Sequence, residues 1–136
     1  MDAAAEMGCG LRIVLLGSFC ATVLQATTWY ITVAGLGGEP EYETRFTSLA
    51  MELDKAVRST PDVKVTTLTG SSATKARIEA VIDEAVKGSK ADDVLVVTLI
   101  GHGTFDGTDY KFNIPGPDLS AAGQGSWNLC LRGGRW

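Results

Sequence analysis

Residues 94–100 read VLVVTLI, seven β-branched or aliphatic positions broken only by Thr98. A run this short and this apolar is predicted to be a strand buried on both faces, the condition of an inner strand in a parallel sheet. Such a strand must be reached by a crossover connection, so helices should precede it. They do. Residues 29–35 (WYITVAG) predict a first strand that stops at glycine. Residues 35–40 (GLGGEP) predict a turn, with Pro40 suited to the first position of a helix. From Tyr42, apolar residues recur at Phe46, Leu49, Leu53 and Val57, steps of three and four that mark one helical face. Thr60-Pro61-Asp62 ends this helix, and Val63–Leu68 (VKVTTL) predicts a second strand. Residues 69–72 (TGSS) predict a turn and a helix cap. Ile78, Val81, Ile82, Ala85 and Val86 then outline a second helical face, closed by Gly88. The alternation predicts an α/β fold, a three-layer sandwich with a mainly parallel sheet and right-handed crossovers.

Composition narrows the function. With 12 Lys+Arg against 16 Asp+Glu, the chain has a formal charge of -4. A nucleic-acid binder needs a concentrated basic face, so nucleic acid is excluded as a partner. Lys55, Arg58, Lys64, Lys75, Arg77, Lys87 and Lys90 are interspersed with acids and predict a solvated surface. Three cysteines without a CxxC pair and a single histidine exclude a zinc finger or disulfide scaffold. No metal or cofactor is expected.

The 136 residues divide into three parts. Residues 13–24 (IVLLGSFCATVL) are apolar but too short for a conventional membrane span. Arg12 stands in front of them and Ala26 behind, as in an export signal over residues 1–26, although Asp2 and Glu6 run against the usual charge pattern. The expectation is an exported protein, periplasmic or extracellular, with no stable membrane span once the signal is removed. Removal takes Cys9 and Cys20 and leaves Cys130 as the only thiol. Residues 27–122 carry the α/β pattern. Residues 123–136 (GQGSWNLCLRGGRW) lose the periodicity and read as an irregular tail, the mark of a truncated or frameshifted product.

In open α/β sheets, sites form beyond the carboxyl ends of the strands. Directly past the most apolar strand lies Gly101-His102-Gly103, with the only histidine. Flanking glycines permit a sharp turn and close approach to a ligand. The imidazole can shuttle protons near neutral pH, and the Gly103 amide is free to face a developing negative oxygen. The plain alternative is a loop histidine between turn glycines. Residues 105–114 predict a small hairpin, and Pro117-Asp118-Leu119-Ser120 the start of a third helix. Asp106 and Asp109 have the residue type of cation ligands, but in a glycine turn they are ordinarily turn formers. Asp92-Asp93 predict a solvated approach to the strand.

Strand–helix–strand–helix–strand ending in His-Gly resembles the first half of the caspase–hemoglobinase fold, over roughly residues 29–119. The resemblance rests on LVVTLIGHG, on Gly107 shortly after it, and on Leu68 with Thr74 and Ile78. It implies a cysteine endopeptidase in which His102 transfers the proton and the Gly103 amide contributes to the oxyanion hole. A thiolate at the end of the next strand would attack the peptide carbonyl. That strand is not recognisable, and Cys130 follows His102 too closely to end it. The expectation is therefore the histidine half of a peptidase, cut after the third core strand and inactive as it stands, whose full-length form acts on a peptide or protein substrate.

Two alternatives remain. One is a non-catalytic caspase-like module that binds partners. The other is a small nucleotide-binding protein using Gly35-Leu36-Gly37-Gly38, which follows a strand and precedes a helix but does not complete GxGxxG. No GxSxG elbow is present, which disfavours an α/β serine hydrolase.

Overall fold

The computed structural model describes residues 25–120. The expected export signal over residues 1–26 lies outside them except for Gln25 and Ala26, and so do the three cysteines and residues 123–136, expected as a tail. The elements are β1 (Thr28–Ala34), α1 (Pro40–Arg58), β2 (Val63–Leu68), a 3-10 turn (Gly70–Ser72), α2 (Lys75–Gly88) and β3 (Val94–Ile100). Three short strands follow: β4 (Gly103–Phe105), β5 (Tyr110–Phe112) and β6 (Leu119–Ser120). No helix among the described residues is long and apolar enough to cross a membrane.

β1, β2 and β3 form a parallel sheet in the order β2-β1-β3, with Thr28 opposite both Val63 and Val94. The first crossover leaves β1 for one neighbour, and the second passes back over β1 to the other side. Right-handed connections moving in opposite directions put their helices on opposite faces. The contacts agree. Thr67 donates its hydroxyl proton to Asp54 on α1, 2.7 Å away. On the other face, Ile31, Val33 and Leu68 cluster with Ile78, Val81, Ile82 and Ala85 of α2. The fold is α/β with a helix on each side of the parallel sheet.

The inner strand is β1, not β3. Ile31, Thr32, Val33 and Ala34 are all buried. β3 lies at an edge, with Val94 and Leu99 52% and 43% exposed. An apolar run reports that a segment can be buried on both faces; burial also needs a neighbour on each side, and β3 has one among the described residues. The helix faces are likewise rotated from the expected ones. Leu49 is exposed, and the contact surface of α1 centres on the fully buried Ala50, with Phe46, Leu53 and Val57 half-buried. Val86 is also exposed, while Ile78, Val81, Ile82 and Ala85 are buried. Thr74 caps α2 by accepting from the Arg77 amide, so residues 69–72 form the preceding 3-10 turn, not the cap itself.

The expected hairpin is present, with β4 and β5 antiparallel. The expected third helix is not. Residues 119–120 are β6, which pairs antiparallel with β5. Ile114 is fully buried and Leu119 nearly so, and both join the cluster under α2. The chain is drawn back to the sheet by that burial, which overrides the helix signal of Pro117.

Asp93 is a clamp and not simply a solvated residue. Its carboxylate accepts from the Thr27 amide at 2.8 Å and the Lys90 amide at 2.9 Å, with the Trp29 indole N–H at 3.4 Å. Lys64 stands 3.9 Å over the Trp29 ring, a cation–π contact on the same strand ends. The two amide bonds hold the Asp93 carboxyl below the usual carboxylate range. Arg58 holds Asp54 low in the same way, helped by Thr67. Because both folded-state values lie below the ordinary 3.8, their stabilisation is complete above that value and is lost as pH falls through the depressed ones.

The urea midpoint is expected to stay level from about pH 7 to about pH 5 and to fall below about pH 4. Asp93→Asn should flatten part of that fall, and titrating urea melts of both proteins checks it. Ile78→Ala removes a fully buried side chain and is expected to cost about 2–5 kcal/mol at neutral pH in the same melts.

Candidate functional site

The strand order makes β1 and β3 neighbours whose chains depart in different directions at their carboxyl ends: β1 runs into α1, β3 into the hairpin. That divergence opens a crevice, the usual place for a ligand in an open α/β sheet. Here Gly35 and Gly101 face each other across it. The Gly35 amide donates to the Ile100 carbonyl at 2.9 Å. A β-carbon built on Gly101 would lie 2.9 Å from the Phe112 ring and 3.2 Å from the Gly35 α-carbon. One built on Gly35 would meet the same ring at 2.7 Å. The Phe112 side chain therefore occupies the floor of the crevice, and both glycines make room for it. The chain bends at Gly101, as anticipated beside the histidine, but neither Gly101 nor Gly103 has positive φ, so the bend does not use left-handed backbone.

His102 lies just above this floor and is exposed. Its ring meets Tyr42 and Phe46 of α1 edge-on, at centroid distances of 4.9 and 5.0 Å. Two aromatic faces thus set the imidazole plane from one side. On the other side, the His102 carbonyl accepts from the Asn113 amide at 3.0 Å. Asn113 also accepts from the Leu36 amide at 2.9 Å and donates its side-chain N–H to Asp118 at 3.2 Å. Asn113 joins the β1 loop, the histidine and the segment before β6. Sequence reasoning missed it, because a lone Asn after a short strand carries no periodic signal and its partners are distant in the chain.

Gly103 opposes Phe112 in the β4–β5 ladder. The pair before it, His102 with Asn113, is hydrogen-bonded. Opposed residues alternate between bonded and non-bonded pairs, so the Gly103 N–H points away from β5. His102 and the outward Gly103 amide are adjacent at one rim of the crevice. Together they provide a proton carrier beside a main-chain donor, two of the groups used in acyl transfer. A nucleophile is not among them, since the described residues contain no cysteine.

The neighbouring glycine loop is already occupied by a carboxylate. The Gly37 amide donates to Glu43 at 2.7 Å. Glu41 and Glu43 lie in the first turn of α1, and Glu39 is its N-cap residue. An open hollow lined by Leu36, Gly38, Glu39, Pro40 and Glu43 lies at this end. Acid at a helix N-terminus satisfies its dipole from within and repels phosphate.

Asp106 accepts from the Thr108 and Asp109 amides at 3.0 and 2.9 Å and pairs with Lys111 at 2.7 Å. These bonds hold its carboxyl well below the ordinary carboxylate range, Lys111 contributing most. It shapes the hairpin turn, the structural role expected of it. No group of three or more metal-ligating side chains occurs among the described residues. Compared with protein-family models, curated proteins and solved structures, the chain gives no match.

Gly101→Ala is expected to destabilise the fold by about 1–3 kcal/mol through overpacking against Phe112. Adding Phe112→Leu should recover part of that loss. Chemical denaturation of the single and double variants checks the coupling, and equal loss in both backgrounds contradicts the packing account.

Proposed function

We propose that this chain carries the histidine half of a caspase-like cysteine endopeptidase. His102 is the general acid–base of a Cys–His dyad, and the Gly103 amide is one donor of the oxyanion hole. The observation that carries the reading is the exposed imidazole at the rim of the β1–β3 crevice, with the outward Gly103 N–H beside it. In the full-length peptidase, the imidazole takes the thiol proton as the thiolate attacks the peptide carbonyl. The carbonyl oxygen becomes negative and is met by the Gly103 N–H. The imidazole then returns the proton to the leaving amine, and water repeats the sequence on the acyl-enzyme. The thiol of the dyad is not among the described residues, which contain no cysteine. Export through residues 1–26 belongs to the same proposal. It places the peptidase in the periplasm or outside the cell.

A second reading is favoured by the contacts of His102. An imidazole held edge-on by Tyr42 and Phe46 also suits a non-catalytic module in which the histidine packs and the domain binds a partner. The nucleotide-binding reading has less support, because Glu43 occupies the Gly37 amide.

Peptidase assays separate the two. The full-length parent is expected to hydrolyse peptides, and His102→Ala should lower kcat/KM by roughly 10²–10⁴-fold with the circular-dichroism spectrum unchanged. Hydrolysis that survives His102→Ala contradicts the dyad. The present 136-residue chain is expected to show none.

A further inference from the structure

The small antiparallel sheet presents an open edge beside His102. β4 is its outer strand among the described residues. Gly103, Thr104 and Phe105 of β4 are all exposed and include no charge and no proline, the usual devices that keep a further strand from adding. Phe105 opposes Tyr110 in the ladder, and the two rings stack at 4.5 Å with 26° between their planes. They nevertheless remain 54% and 75% exposed. Tyr110 lies on the inner strand, so it covers one face of the Phe105 ring. The other face is turned toward the place an added strand would occupy.

Two bonds fix the direction of the β4 main-chain groups. The His102 carbonyl accepts from the Asn113 amide at 3.0 Å, and the Asp106 amide donates to the Asp109 carbonyl at 3.2 Å. Both belong to pairs bonded within the hairpin, so by alternation Gly103 and Phe105 turn their N–H and C=O groups outward. In the peptidase reading, on which this inference rests, the Gly103 N–H meets the carbonyl of the scissile bond. The residue that carries this carbonyl then lies along the outer edge of β4. Phe105 is the next outward position on that edge. An extended peptide seated at Gly103 reaches it by the two-residue repeat that strands share.

β4, β5 and β6 are antiparallel throughout. A peptide that keeps this pattern exchanges both bonds at each outward residue, the more stable mode of pairing. Its direction then opposes that of β4. The residue just before the scissile bond lies opposite Gly103, and the third residue before the bond lies opposite Phe105. Opposed side chains share one face of a sheet. The first therefore meets no side chain on β4, and the second meets the open face of the Phe105 ring. We propose that the substrate is an extended peptide paired antiparallel with β4, and that Phe105, backed by Tyr110, selects an apolar side chain at the third residue before the scissile bond.

Magnetic-resonance titration of the full chain tests it. The probes are alanine pentapeptides, acetylated and amidated, that carry either leucine or aspartate at the second position. The leucine peptide is expected to shift the amides of Gly103 and Phe105 and to bind more tightly than the aspartate peptide. A nitroxide on its amino end should broaden Gly107 and Thr108 at the hairpin tip. Phe105→Ser with Tyr110→Ser alters two exposed side chains. It is expected to weaken the leucine peptide roughly two- to fivefold and to leave the aspartate peptide unchanged, with the far-ultraviolet spectrum retained. No shift at Gly103 and Phe105 overturns the proposal. So does equal binding of the two peptides, or a nitroxide that broadens Gly101 in place of the tip. In the full-length parent, hydrolysis that needs His102 but ignores the third residue before the bond overturns this inference and leaves the peptidase reading standing. Pairing with β4 in a parent that hydrolyses no peptide overturns the peptidase reading alone.

Discussion

The fold depends on β1 having a parallel partner on each side. Its four buried residues, Ile31, Thr32, Val33 and Ala34, lie between β2 and β3 in one register. The helices are then committed to opposite faces, because the two crossovers move in opposite senses over the same strand. Burying Ile31 and Val33 stabilises the sheet by about 1.5–3 kcal/mol each, and that burial requires α2. The crevice at the carboxyl ends follows from the same arrangement, since β1 and β3 are adjacent in space but lead to different parts of the chain. Phe112 closes its lower part, so what remains open is the rim that carries His102 and Gly103.

That rim is built by residues far apart in sequence. Tyr42 and Phe46 arrive on α1, His102 follows β3, and Asn113 follows β5. Asn113 receives Leu36 and supports the His102 carbonyl. The histidine therefore sits on a scaffold drawn from most of the described chain. Whether its imidazole moves protons or only packs, its position is set by the two aromatic rings and by the Asn113 amide.

Local pattern made the main elements legible. The limits of β2 and β3 follow from VKVTTL and VLVVTLI alone, and α1 begins at the proline the turn predicts. What local pattern does not contain is neighbourhood. VLVVTLI reads as an inner strand, but its place in the sheet was decided by the crossover from β2 passing over β1. Leu49 and Val86 fit a helical stripe by spacing and are nevertheless exposed, since the small Ala50 lets α1 settle with a different face inward. Pro117 begins no helix, because Ile114 and Leu119 gain more from the cluster under α2. The position of His102 was legible from its place after a strand. Its aromatic neighbours, the Phe112 plug and the Asn113 bridge were not, as each depends on pairing between segments tens of residues apart.

The carboxylate of Asp93 ties the Thr27 amide across 66 positions of the chain, and the whole β1–β3 pairing spans a similar interval. During synthesis, β1, α1 and β2 can assemble as a unit long before β3 has left the ribosome. One side of the central strand then waits without a partner while α2 is being made. Non-local closure of this sort slows folding, since loop entropy is lost before the strand contacts repay it. The strand that completes the sheet is also the least protected against pairing with another chain. The order in which the polypeptide appears thus makes the interval before β3 docks the period of greatest exposure to misassembly.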